Sequence, residues 1–189
     1  IEKHSSNLIG ISDEIWNLAE TAFNEHESSK ILADYATKNG FNVEMGVAGM
    51  PTAFVATYGQ GKPVISVLGE FDALPGISQE TKPVKSPLID GGAGHGCGHN
   101  LFGAGSLGAA IAIKELIESG KISGTVKFFG TPSEEKYFGK IWMVKAGLWD
   151  DVDVNISWHP SAQTAADVQS SLALIDFKIE FFGQAAHAS

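Results

Sequence analysis

Apolar positions follow two different periods along the chain. Ile9, Ile11, Ile15, Trp16, Leu18 and Ala19 recur at roughly helical spacing, which predicts an amphipathic helix near the N-terminus. Ile31, Leu32, Tyr35 and Ala36 predict a second helix, with Ser28 or Ser29 as its cap and Gly40 as its stop. The period then shortens. Residues 52–58 are rich in β-forming side chains and end at Gly59. Residues 63–68 (PVISVL) and 124–130 (GTVKFFG) are nearly continuous apolar runs, the pattern of strands buried on both faces. Between them, residues 101–119 predict a long helix, rich in small residues at its start and stopped by Gly120. A shorter helix is expected over 139–146 and another strand over 152–157. This alternation predicts an α/β fold, a mostly parallel sheet flanked by helices. Residues 172–182 (LALIDFKIEFF) differ, because Asp176, Lys178 and Glu180 alternate with apolar neighbours. One wet face suits an antiparallel sheet. Residues 1–170 are therefore expected to form one domain and 171–189 to begin another.

Length and charge narrow the function classes. A chain of 189 residues suits one domain plus part of a second. Thirteen lysines, no arginine and 22 acidic residues give a net charge of −9. Nothing basic is left over to neutralise phosphates, which argues against nucleic acid and against an anionic membrane surface. The single cysteine excludes an internal disulfide and fits a reducing, cytoplasmic setting. No apolar run is read as reaching the roughly 18–20 residues of a membrane span, and no basic-then-apolar leader opens the chain. The chain starts at Ile1, so further residues are expected upstream. Without arginine, a bidentate clamp on a substrate carboxylate would have to come from elsewhere.

Reactive side chains concentrate in four segments: GEFDALPG with Glu70 and Asp72, GHGCGHN with His95, Cys97 and His99, GTPSEE with Glu134 and Glu135, and SWHP with His159. The first, third and fourth each directly follow a predicted parallel strand. In open α/β sheets ligands bind at the carboxyl ends of the strands, so these residues should converge on one sheet edge. Carboxylate, imidazole and thiolate together suit a borderline transition metal rather than calcium or magnesium. Adjacent glutamates cannot both point the same way, so one can ligate while the other serves as a general base. Each residue also has a plainer reading. A Glu-Glu pair is often a solvated turn, a His before Pro often bonds a strand end, and Cys97 could be a small buried apolar group. For His95, support of the Gly-rich loop is the preferred reading. A cysteine hydrolase, with Cys97 as nucleophile and His95 or His99 as base, is an alternative, but it has no use for Glu135 or His159.

The segments GEFDALPG, GHGCGHN, GTPSEE, WHP and FFGQAAHAS resemble, in order and spacing, the aminoacylase and carboxypeptidase-like dinuclear metallohydrolases. They are most similar to the amidohydrolase branch, whose members cleave N-acyl amino acids, p-aminobenzoyl-glutamate among them. The resemblance covers nearly the whole chain. It implies a zinc-peptidase-like catalytic domain over 1–170 and the start of a lid and dimerisation domain over 171–189. It implies Cys97, His99, Glu135 and His159 as ligands of two divalent ions, manganese or zinc. Glu134 would be the general base, Asp72 would orient the site, and His187 would stabilise the tetrahedral intermediate. Glu70 stands where other branches place a ligating histidine. The implied partners are a small N-acyl amino acid or dipeptide and a second copy of the chain, bound through the lid. Family members are about twice as long and carry a further C-terminal histidine ligand. The chain is thus expected to be the N-terminal part of such an enzyme, and a metal-binding fragment inactive on its own is a further alternative.

Overall fold

Two helices form at the N-terminus, α1 (Ser5–Leu18) and α2 (His26–Lys38), in a computed structural model that describes residues 1–166, 170, 172–175, 177–184, 186 and 187. The buried stripe of α1 is narrower than the sequence pattern. Ile11 and Ile15 are buried and Leu8 packs beside them, while Ile9 and Leu18 face solvent. Ser28 and Ser29 are not caps. Both are buried inside α2, where the Ser29 hydroxyl donates to the Thr52 carbonyl at 2.7 Å. The free amides of Glu27 and Ser28 donate instead to the Glu20 carboxylate at 3.1 and 2.8 Å, so a residue outside the helix does the capping.

Five strands follow: β1 (Asn42–Met45), β2 (Phe54–Gln60), β3 (Val64–Glu70), β4 (Gly124–Thr131) and β5 (Val154–Ile156). Their order in the sheet is β1-β2-β4-β3-β5. β3 pairs in parallel with β4 and β5, whereas β1–β2 and β2–β4 are antiparallel. The sheet is therefore mixed, a correction to the mostly parallel sheet expected. Parallel pairing needs a long crossover. One is available only where α3 (His99–Glu118) joins β3 to β4, and where α4 (Glu134–Tyr137) and α5 (Gly139–Lys145) join β4 to β5. Short links around residues 46–53 and 61–63 reverse the chain instead. β1 escaped the sequence pattern because it is a short, largely exposed edge. Over 172–182 the described residues carry no strand assignment, since an alternating segment becomes a strand only against a partner. Asp176, in the same stretch, lies outside the described residues.

Two apolar layers sandwich the sheet's centre. Phe54, Phe71 and Phe128 pack with α1, α2 and α3 on one side, and Phe102, Phe129 and Met143 pack together on the other. By length and hydropathy alone α3 could cross a membrane, which corrects the expectation that no segment reaches that limit. Half of that window is buried, however, as suits the central helix of a packed core. Its small residues let it press on the sheet. A Cβ on Gly69 would lie 3.3 Å from the Gly103 Cα, and one on Gly103 would lie 2.8 Å from the Glu70 carbonyl oxygen. This contact sets the first turn of α3 over the carboxyl end of β3. Glu70 pairs in register with Thr131, so the ends of β3 and β4 lie side by side beneath it.

Gly103→Ala is accordingly expected to destabilise the fold by about 1–3 kcal/mol through overpacking. Gly10→Ala, at an exposed position of α1 with nothing within 4 Å of the added methyl, should stabilise it by about 0.5–1 kcal/mol. Urea unfolding of the two variants checks the sign of each.

Candidate metal centre

The site begins with the chain leaving β3. Ala73 donates to the Glu20 carbonyl at 2.8 Å, and Leu74 exchanges two backbone bonds with Gly94. These bonds pin Asp72 and tie its loop to the Gly-rich segment. Asp72 is fully buried. Its Oδ1 accepts from His99 Nδ1 at 3.0 Å, and its Oδ2 accepts from the Glu135 amide at 2.9 Å. The Asp72 carbonyl also accepts from His99 Nδ1 at 3.0 Å. Both acceptors can only accept, so Nδ1 carries the proton and Nε2 offers its lone pair.

That lone pair faces acid. Glu70 Oε2 lies 2.9 Å from Nε2, Glu134 Oε2 3.8 Å and Glu135 Oε1 4.0 Å. His99 Nε2, Glu70 Oε2 and Glu135 Oε1 are all buried without a hydrogen bond, so the 2.9 Å contact is close but off the line of one. Buried polar atoms are rarely left so, and three facing one point call for a cation between them. Burial disfavours the charged imidazole, yet Asp72 and Glu70 outweigh it and lift the His99 pKa to about 10. Near neutral pH a second proton on the imidazole therefore competes with a metal for this place. Lys140 on α5 donates to Glu70 Oε1. Against its burial, His99 and Lys140 keep Glu70 ionised, below the ordinary carboxylate value.

Cys97 and His159 complete the cluster from a second direction. Trp158 stands on α3, where its Nε1 donates to the Ser106 hydroxyl at 3.0 Å and its ring fills the space a side chain at Gly105 would need. Gly98, at φ +81°, lets Pro160 approach, since a Cβ there would lie 3.0 Å from the Pro160 ring. Cys97 Sγ consequently sits 3.3 Å from His159 Nε2, while His159 Nδ1 donates to the Pro160 carbonyl at 2.9 Å. The ligand atoms of Cys97, His99 and His159 lie within 4.8 Å of one another, as do those of Glu70, His99 and Glu134. The donor set, two imidazoles, a thiol and carboxylates, fits a borderline divalent ion.

Seven sequence candidates thus meet at the carboxyl edge of the sheet: Glu70, Asp72, Cys97, His99, Glu134, Glu135 and His159. Two do not. His95 is turned away: its Nε2 donates to the Ile15 carbonyl at 3.0 Å and its ring stacks on Trp16. Burial lowers its pKa to about 4, so it is a neutral prop for the Gly-rich loop. His187 is exposed in the C-terminal segment, outside both convergent groups. Two residues carry no signal in the sequence. Lys140 lies in an ordinary helical pattern, and Glu25 in a polar stretch with no motif. Only packing brings Lys140 to Glu70, and Glu25 to the turn that carries Glu134.

Comparison with known proteins places this geometry. The profile of peptidase family M20/M25/M40 matches residues 66–186, which span every member of the cluster. The chain belongs to this family. Over its whole length the M20 chain is 44% identical to one of the subunits of the Escherichia coli p-aminobenzoyl-glutamate hydrolase, and it covers 40% of that protein. It is 30% identical to the Xaa-Arg dipeptidase of Mus musculus, covering 43% of it. Among solved structures, the Bacillus subtilis YXEP protein, described as a dinuclear metal-binding peptidase of family M20, matches with TM-score 0.69 and 25% identity over 82% of this chain and 42% of that one. An aminobenzoyl-glutamate utilization protein from Klebsiella pneumoniae shares the fold, with TM-score 0.59 at 16% identity over 82% of this chain and 43% of that one. The M20 chain thus spans about two fifths of the relatives it matches.

Two outcomes are expected for the full-length protein. Asp72→Asn leaves either the Glu135 amide without its acceptor or His99 with the residue 72 carbonyl alone, and should weaken divalent-metal affinity by about 10–100-fold, measured by competition with a chromogenic chelator. Metal uptake near pH 7 should release protons and tighten as pH rises. His99 holds its proton up to about pH 10, and burial beside Glu135 pushes the Cys97 thiol up to about 12, so both must give up a proton to ligate. Calorimetry in buffers of differing ionisation enthalpy counts them.

Proposed function

We propose that the full-length protein carrying this chain hydrolyses the amide bond of an N-acyl amino acid or dipeptide, with p-aminobenzoyl-glutamate as the first substrate to test. The reading is carried by the buried, unbonded ligand atoms gathered about His99 Nε2. The substrate choice follows the 44% identity to a p-aminobenzoyl-glutamate hydrolase subunit. Cys97, His99, Glu135 and His159 would hold two divalent ions, manganese or zinc. Bound there, such ions supply Lewis acidity at the scissile carbonyl and lower the pKa of water toward neutrality. Glu134 is assigned as the general base. It is the more exposed carboxylate of the pair, 35% against 18% for Glu135, so it faces the side a substrate would approach. Burial and the neighbouring Glu70 raise its pKa, which suits a group that takes a proton from water and passes it to the leaving amine. Asp72 keeps His99 in the Nδ1–H form, and His187 is assigned to the developing oxyanion.

A cysteine nucleophile is less well supported. Burial and Glu135 push the Cys97 thiol up to about 12, where a nucleophile needs a depressed value. The ring nitrogen within hydrogen-bonding distance of its thiol is that of His159, at 3.3 Å, rather than that of His95 or His99. A thiol ligand suits a reducing compartment such as the cytoplasm. Two Escherichia coli relatives are named as different subunits of p-aminobenzoyl-glutamate hydrolase, the second of them 35% identical over 72% of this chain. An assembly with a second, related chain therefore stands beside the homodimer expected from the sequence.

The test is glutamate release from p-aminobenzoyl-glutamate by the full-length protein, with manganese and with EDTA. Release that EDTA stops is expected, and release that EDTA leaves untouched would remove the metal from the reading. Glu134→Gln should lower turnover by about 10²–10⁴-fold with metal content unchanged. Loss of metal in that variant would move Glu134 into the ligand set.

A further inference from the structure

Glu25 is wholly buried, and its contacts lead to the turn between β4 and α4. Its Oε1 accepts the Ser133 amide at 2.8 Å, and its Oε2 accepts the Thr52 hydroxyl at 3.2 Å. No lysine is paired with it among the described residues. Burial, with Asp72 nearby, raises its pKa to about 7, so its place in the fold is an unfavourable one for a charge. A buried carboxylate in that position calls for a purpose beyond packing.

Ser133 supplies one. It is buried, and it adopts a left-handed conformation, φ +56° and ψ +43°, which a residue with a Cβ rarely takes. It sits between the last residues of β4 and the single helical turn that bears Glu134 and Glu135. Its amide lies outside both the ladder and the helix, so without Glu25 that donor would be buried and unbonded. The turn is closed from its far side by Gly139, where a Cβ would lie 2.1 Å from the Pro132 carbonyl oxygen. Strained backbone persists where its surroundings over-determine it, and such places cluster at functional sites.

We propose that Glu25 is a positioning residue for this centre: its carboxylate holds the Ser133 amide and thereby the left-handed turn that aims Glu134 and Glu135 at His99. Two buried carboxylates then grip the same turn, Glu25 at Ser133 and Asp72 at Glu135. The Glu25 carbonyl also accepts the Ser29 amide at 3.0 Å as α2 begins, which joins the catalytic turn to the helical layer. The inference rests on the metallohydrolase reading above.

The test uses the full-length protein, with cobalt(II) as the metal probe. Its visible spectrum reports the geometry around the Cys97 thiolate and carboxylate ligands. Glu25→Gln keeps an oxygen for Ser133 and an amide beside Thr52, and should retain spectrum and turnover. Glu25→Leu removes the acceptor. It should alter the cobalt spectrum and lower kcat by about 100-fold with KM changed little. If Glu25→Leu does not fold, Glu25→Asp carries the test: it keeps the charge but is one methylene too short, and should show the same losses. A folded Glu25→Leu or Glu25→Asp with unchanged spectrum and kcat overturns the proposal. So does a Glu25→Gln as impaired as Glu25→Leu. Failure of the wild type to bind cobalt overturns the metal reading itself, an outcome distinct from a metal-binding wild type with an indifferent Glu25→Leu.

Discussion

The buried carboxylate of Asp72 is the junction on which the site depends. One oxygen takes the His99 Nδ1 proton and the other takes the Glu135 amide. A single side chain thus joins the end of β3, the first turn of α3 and the turn after β4. Such a group is costly to bury, and the cost is offset only because each oxygen has a donor. Its consequence is chemical. With Nδ1 committed, the imidazole has one free lone pair, and its direction is set.

Close approach of backbone makes this junction geometrically possible. Gly69 and Gly103 allow α3 to rest on β3 at a distance that no larger pair would permit. Gly98 and Gly105 do the same for Pro160 and Trp158, which carry His159 to the thiol of Cys97. The small residues at the start of α3 therefore serve two purposes. They pack the core helix, and they bring ligand atoms from separate crossovers within 4.8 Å of one another.

Electrostatics then decides what the arrangement can hold. Glu70, Glu134 and Glu135 surround a histidine nitrogen, with Lys140 bonded to Glu70 from one side. In a chain of net charge −9 this concentration of acid is unfavourable by itself. A proton on His99 relieves part of it. A divalent ion would relieve more and would stabilise the folded state in proportion to its binding. The same competition between proton and metal links the centre's affinity to pH.

Local pattern determined the elements. Continuous apolar runs marked β3 and β4, the small-residue helix was legible from its period and its glycine stop, and chemistry at the ends of strands marked the edge where Asp72, Glu134, Glu135 and His159 meet. The motifs likewise placed the chain in its family. Pairing direction was not local information: β2 and β4 are antiparallel because the link before β3 is too short for a crossover, and β1 is too short and exposed to show a period. Nor could spacing show that Glu20, rather than Ser28 or Ser29, caps α2, or that His95 turns to Ile15. Glu25 and Lys140 lie in unremarkable polar surroundings, and only the packing of α2 and α5 against the strand ends brings them to the site. Sequence periodicity records which face of an element is buried. Which buried polar atoms meet is decided by contacts between residues far apart in the chain, and that belongs to the tertiary structure.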